Sequence, residues 1–192
     1  MDLPRQVIEL GDLTLRRFDR EADLPELDRV IEESLEHLGP WMSFVADHSR
    51  SRTAEFLGRR HEAWEGGREF TYAIVLGGAI VGACQLFRRE GAPENRRELG
   101  YWLHPAATGR GVATRAARAL VDEAFRLPGV DHVEVVHDPA NRASGAVPAR
   151  LGFTELLRRP AERGGTAGTG EEQVWRLTRQ EVAQAAWRLV DD

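Results

Sequence analysis

Residues 98–114, ELGYWLHPAATGRGVAT, decide the fold. An apolar and aromatic run ends at Leu103, a turn with two glycines follows, and small apolar residues then recur at helical spacing. This order predicts a strand, a tight turn and a helix at 109–125. The first N–H groups of a helix lack internal acceptors, so Gly109, Arg110 and Gly111 can present donors to a pyrophosphate. Glycine suits this turn because a side chain would block the approach of the ligand to the backbone.

Two other phosphate-binding motifs do not fit this turn. The Lys-Ser/Thr pair of a P-loop is absent, and Thr114 stands where the dinucleotide fingerprint has its third glycine. A Gly-x-Gly turn is also typical of ordinary helix starts, so its meaning depends on the rest of the chain.

The elements around the turn predict an α/β fold. Asp23 with Glu26 is typical of a capping box, and Ser49 or Ser51 is a candidate cap for the second helix. The pattern predicts a mixed, mostly antiparallel central sheet of six or seven strands flanked by about four helices. The expected strands are 13–18, 70–76, 79–88, 97–103, 132–137, 154–157 and 173–177, and the expected helices are 24–38, 54–64, 109–125 and 141–151.

Composition narrows the function classes. A chain of 192 residues with 42% hydrophobic content predicts one domain, residues 1–192. The net charge of −5 argues against general nucleic-acid binding and favours cationic partners, amines included. The single Cys84 excludes an internal disulfide, and the start of the chain lacks a signal-peptide pattern, so a cytoplasmic location is expected. Gly77-Gly78 divides the uncharged run at 70–87, which therefore predicts a hairpin rather than a membrane span.

Two segments near the end of the chain stand apart from this core. Residues 163–170, RGGTAGTG, contain four glycines and predict a mobile loop. Residues 178–192 predict an amphipathic C-terminal helix.

The glycine turn and two later segments resemble a known family. Residues 108–113, TGRGVA, are similar to the acetyl-CoA signature Gln/Arg-x-x-Gly-x-Gly/Ala of the GNAT N-acetyltransferases, with Thr108 in place of Gln or Arg. NRAS at 141–144 and RLGF at 150–153 resemble the second signature of that family. HLGPW at 37–41 is similar to a segment of the branch that acetylates the N-terminal alanine or serine of ribosomal proteins. The resemblance covers residues 13–177.

This resemblance implies a GNAT fold and an acetyl-CoA-dependent transfer of an acetyl group to a primary amine, such as a protein N-terminus. The acceptor stays open between that amine and an aminoacyl or other small-molecule amine, and a succinyl donor is a further alternative. A catalytically silent acyl-CoA-binding module is the rival from another class. The histidines show no metal-ligand spacing, so no metal is expected, nor is a nucleic-acid or membrane partner. A homodimer stays open.

The same resemblance places the pantetheine arm of acetyl-CoA between the strands at 97–103 and 132–137. Trp41, Phe44 and Trp102 are the candidates for the acceptor side, with core packing as the competing interpretation of the first two. The residues expected to bind acetyl-CoA are Leu103, His104, Thr108, Gly109, Arg110, Gly111, Val112, Ala113, Thr114 and Asn141.

Two residues are candidates for proton transfer. Attack by an amine benefits from a carboxylate that accepts a proton, and the departing thiolate benefits from a hydroxyl donor. Glu98 shares a strand face with Trp102 and is the candidate base, against the alternative of a solvated strand-edge glutamate. Ser144 is the candidate acid, against a first-turn serine that bonds to the backbone. Many GNAT enzymes use a tyrosine as this acid, but its position here holds Pro148.

Overall fold

The computed structural model describes residues 3–161 and 168–184. Within them, eight strands form one sheet in the order β1-β2-β3-β4-β5-β6-β8-β7. The strands are β1 Val7–Leu10, β2 Leu13–Arg17, β3 Glu69–Leu76, β4 Ala79–Phe87, β5 Arg96–Leu103, β6 His132–His137, β7 Thr154–Pro160 and β8 Glu171–Thr178. The helices are α1 Leu24–Glu32, α2 Leu35–Leu38, α3 Arg50–Glu65, α4 Val112–Arg126, α5 Arg142–Arg150 and α6 Arg179–Gln184, and single 3₁₀ turns lie at Ser43–Val45 and Pro105–Ala107.

The sheet is antiparallel except where β5 meets β6. A parallel pair needs a crossover, and α4 supplies it. The parallel pairing joins Arg96–Leu99 to residues 132–135 and then stops, although β5 continues to Leu103 and β6 to His137. The two strands therefore separate in the middle of the sheet, and this opening positions the site described below.

Two apolar layers cover the two faces of the sheet. The helix α4 packs on β4, β5 and β6, and its predicted apolar stripe is buried from Val112 to Ala124. On the other face, α1 packs on β4 and α3 packs on β3. Neighbouring strand residues divide between these layers as the strand period of two requires, since Tyr72 belongs to the α4 layer and Ala73 to the α1 layer.

The predicted α/β fold is confirmed, but the sheet has one strand more than the upper estimate. The additional strand is β1, which is short and buries only Ile8, so its sequence carries little periodic signal. The described residues also contain more helices than the expected four. One reason is that the helix predicted at 24–38 breaks near Ser34, whose hydroxyl donates to the backbone oxygen of Val30 at 2.6 Å.

The predicted capping box of α1 is wrong. Asp23 makes no capping bond, because its carboxylate accepts both guanidinium donors of Arg16 at 2.7 Å. Glu26 accepts the backbone N–H of Ile80 at 2.9 Å and so ties α1 to β4. The cap predicted for α3 is confirmed at Ser49, whose hydroxyl accepts the N–H of Arg52.

The predicted loop at 163–170 and helix at 178–192 lie largely outside the described residues. At the described end of the loop, the backbone N–H of Thr169 donates to Asp138 at 2.6 Å. In the tail, α6 covers Arg179–Gln184. No helix in the described part of the chain is long and apolar enough to cross a membrane.

Candidate active site

A cavity of about 1120 Å³ lies where β5 and β6 separate. Cavities of several hundred cubic ångströms are typical of small-molecule sites, and this one has room for an extended cofactor. Its walls come from the end of β5, from the α2 segment, from the first two turns of α4, and from α5 with the two residues that follow it. The lining residues are His37, Leu38, Trp41, Met42, Tyr101, Trp102, Leu103, Thr108, Gly109, Gly111, Val112, Ala113, Thr114, Arg115, Arg118, Asn141, Arg142, Ala143, Ser144, Ala146, Val147, Arg150, Leu151 and Gly152.

The glycine turn presents the start of α4 to this cavity. Gly109 and Gly111 have φ values of +71° and +72°, and Gly111 is the N-cap residue without any side-chain capping bond. A side chain at either position would meet open space, so these glycines are required by their left-handed backbone rather than by crowding. The free N–H groups of the first helical turn, 112–114, lie at the cavity wall, where they suit an anion.

Basic residues line the same cavity and were not singled out from the sequence. Arg115 and Arg118 on α4 and Arg142 and Arg150 on α5 line the cavity. Arg115 also pairs with Asp12 at 2.7 Å, and this hydrogen bond holds the pKa of the Asp12 carboxyl below its usual value. Guanidinium groups are well suited to phosphate, so arginines spaced one helical turn apart after a glycine turn were the available signal.

Several predicted cofactor residues line the cavity, while others point elsewhere. Thr108 lines it, although its hydroxyl donates to the backbone oxygen of Pro105 at 2.7 Å. His104 does not line it, because its ring lies 3.3 Å from Glu33 and accepts the N–H of Ala106. Arg110 is also absent from the lining.

The first turn of α5 brings Asn141 and Ser144 to the cavity. The Asn141 carbonyl Oδ1 accepts the backbone N–H of Ser144 at 3.1 Å and caps the helix. The Ser144 hydroxyl lies 3.5 Å from the phenol oxygen of Tyr101, which donates to the backbone oxygen of Ser144 at 2.7 Å. Burial raises the pKa of Tyr101 to about 12, so the phenol is protonated at neutral pH. Tyr101 was missed because a lone aromatic residue on a strand is most often core.

The acceptor candidates form an aromatic wall. Trp41 and Trp102 line the cavity together with Met42. Phe44 is not among the lining residues, but it is 48% exposed and its ring centroid lies 6.2 Å from that of Trp102. Core packing is therefore wrong for Phe44.

Glu98 lies away from the cavity lining. Its side chain is only 8% exposed, so the alternative of a solvated strand-edge glutamate is wrong. Both carboxylate oxygens accept from Arg89, at 2.9 and 2.8 Å, and Arg89 also lies 3.6 Å from Glu172. Glu98 reaches the cavity only through intervening groups, and its role as a base stays a prediction.

Comparisons with known proteins agree with this geometry. The family model described as "Acetyltransferase (GNAT) domain" matches residues 12–154. The chain belongs to the GNAT acetyltransferase family. The expected N-acetyltransferase class and acetyl-CoA as co-substrate are thereby confirmed.

Individual proteins are similar to this chain in sequence or in fold. A Bacillus subtilis (strain 168) protein described as "Putative ribosomal N-acetyltransferase YdaF" is 28% identical over 147 residues, which cover 74% of this chain and 78% of that protein. RimL, a ribosomal L7/L12 α-N-protein acetyltransferase solved with coenzyme A, has a TM-score of 0.83 at 18% identity and covers 91% of this chain and 99% of its own. The microcin C7 self-immunity acetyltransferase MccE, solved with acetyl-CoA and AMP, has a TM-score of 0.80 at 18% identity, with 88% and 93% covered.

Proposed function

We propose that this protein transfers the acetyl group of acetyl-CoA to the α-amine of a protein N-terminus. The observation that carries the proposal is the shape of the cavity. It is lined by the glycine turn at the start of α4 and also by Trp41, Met42 and Trp102, of which Met42 and Trp102 pack against the α1 layer. A donor and an acceptor that enter from opposite faces can therefore meet at the opening between β5 and β6.

The donor end suits the phosphates and the extended arm of acetyl-CoA. The N–H groups at the start of α4 and the nearby arginines supply donors and positive charge, and beyond Leu99 the β6-facing edge of β5 is not paired with β6. When bound, acetyl-CoA supplies a thioester whose carbonyl carbon is open to attack.

The reaction needs two proton movements. A bond forms between the amine nitrogen and the acetyl carbon, the carbon–sulfur bond breaks, the nitrogen loses a proton and the sulfur gains one. Ser144, which lines the cavity, is the proposed donor of the proton to sulfur. Glu98, acting through water, is the proposed acceptor of the amine proton.

A protein N-terminus is favoured as the acceptor by the descriptions of two similar proteins, "Putative ribosomal N-acetyltransferase YdaF" and the ribosomal L7/L12 α-N-protein acetyltransferase RimL. The net charge of −5 also attracts a cationic peptide terminus. A small-molecule amine is the second candidate, because the fold is shared with MccE and the aromatic wall of Trp41 and Trp102 can stack a planar ring.

The test is an acceptor panel with release of free CoA thiol as the readout. It contains peptides that begin with alanine, serine or methionine, the same peptides with blocked α-amines and an internal lysine, and aminoacyl nucleotides. Turnover with free but not blocked peptides supports the proposal. Turnover with the small amines alone assigns the second candidate, and acetyl-CoA binding without turnover on any acceptor identifies a silent binding module.

A further inference from the structure

We propose that Tyr101 is a positioning residue, whose hydroxyl replaces a helix hydrogen bond removed by Pro148 and thereby holds Ser144 in place across the opening between β5 and β6. This inference rests on the proposed function, because it assigns which contact holds Ser144 in position in the proposed active site.

Pro148 leaves one carbonyl of α5 without its usual partner. In an α-helix, the carbonyl of residue i accepts the N–H of residue i+4, so the carbonyl of Ser144 would accept from position 148. Pro148 lies inside α5 and has no N–H, and a proline ring also crowds the carbonyl four residues earlier. The backbone carbonyl of Ser144 therefore needs a hydrogen-bond donor from outside the helix.

Tyr101 supplies that donor. Its hydroxyl donates to the Ser144 backbone oxygen at 2.7 Å, a bond between residues 43 positions apart in the chain. Asn141 holds the N–H of the same residue, so Ser144 is fixed through both of its backbone groups. The Ser144 hydroxyl lies beside the phenol oxygen, and all three side chains line the cavity.

The bond lies where the sheet provides no other link. Pairing of β5 with β6 ends at Leu99 and Val135, and Tyr101 lies two residues beyond that point on the same face as Leu99. Past this point, the position of α5 relative to β5 is no longer set by strand pairing. The hydrogen bond from Tyr101 to the Ser144 carbonyl thus sets the width of the opening and the direction of the Ser144 hydroxyl.

The test compares Tyr101→Phe with a matched control. The chain has two tyrosines, and Tyr72 likewise donates from a buried phenol to a backbone oxygen, that of Arg5, at 2.8 Å, but it lies outside the cavity. Both variants lose one such bond, so both are expected to lower the melting temperature by about 2–6 °C. Tyr101→Phe alone is expected to lower kcat, by roughly 10-fold to 100-fold, with little change in the KM for the peptide. Equal kcat values for the two variants overturn the proposal.

The Pro148→Ala background tests the mechanism directly. This substitution restores an N–H that can bond to the Ser144 carbonyl, so the added Tyr101→Phe change is expected to cost kcat less than threefold (about 0.65 kcal/mol) there. A full loss of rate in the double variant shows that Tyr101 does not act through this carbonyl and overturns the proposal. Melting temperatures of the parent protein, the two single variants and the double variant can be compared in the same way without any acceptor. They therefore test the hydrogen bond from Tyr101 to the Ser144 carbonyl even if the proposed function fails. If Pro148→Ala does not fold, hydrogen exchange of the backbone amides of α5 tests the proposal instead. Faster exchange in Tyr101→Phe than in Tyr72→Phe supports the stabilising role of the Tyr101 hydrogen bond, and equal exchange refutes it.

Discussion

Replacing Glu98 with glutamine separates base catalysis from a structural role of this carboxylate. Glu98 is 6% exposed and accepts two charge-assisted hydrogen bonds from Arg89. Glutamine keeps one acceptor oxygen, and Arg89 retains Glu172 at 3.6 Å. The free energy of unfolding should therefore fall by about 1.5–3 kcal/mol, which is the cost of one hydrogen bond to a charged group. The larger cost of a buried charge without a partner should not arise, because Arg89 keeps Glu172.

The catalytic consequence is larger than this structural one. If the proton of the amine passes to Glu98, Glu98→Gln lowers kcat by roughly 10² to 10⁴, because an amide does not accept a proton. Affinity for acetyl-CoA should barely change, since Glu98 does not line the cavity. The assay is CoA release at saturating peptide, measured over a range of pH well below the melting temperature.

Glu172→Gln is the matched control. Glu172 is also buried and pairs with Arg89, as well as with Arg159, so its replacement disturbs the same network without removing the candidate base. Near-normal turnover in Glu98→Gln, or equal losses in both variants, refutes base catalysis. The reaction would then depend on positioning of an amine that solvent has already deprotonated.

Four further substitutions test local features of the structure. Gly111→Ala should weaken acetyl-CoA binding by about 1–2 kcal/mol in titration calorimetry, because alanine disfavours the φ of +72° needed at the start of α4. Unchanged affinity would contradict the proposed anion site. Gly82→Ala should destabilise the protein, since its methyl would collide with the backbone of β5, whereas Gly58→Ala, with no atom closer than 3.7 Å, should stabilise α3 by about 0.5–1 kcal/mol in urea unfolding. Burial lowers the pKa of His137 below 6.5, and its Nε2 accepts from Trp175 at 2.9 Å, so stability should be full above about pH 6.5 and decline below it as the unfolded chain takes up the proton. His137→Gln should flatten that decline, and an unchanged pH profile would exclude His137 as its source.

Much of the fold could be predicted because its signals are local. The strand His132–His137 has the predicted bounds, and α4 buries the stripe that its helical spacing indicated. Periodicity reports which face of an element is buried. It does not report what a polar side chain bonds to, and for this reason the capping box at Asp23 failed while the Ser49 cap succeeded.

The candidate site shows the same contrast between local features, which the sequence predicts, and long-range contacts, which it does not. The glycine turn and the Asn141 cap are contacts within a few residues, so the sequence alone located the start of α4 and the first turn of α5. Only the tertiary structure decided that β5 and β6 part after Leu99, that Arg89 occupies both oxygens of Glu98, and that Tyr101 meets Ser144. These partners depend on strand register and on how α5 docks against the sheet. Register and docking are set by the packing of the whole core, which no single stretch of sequence specifies.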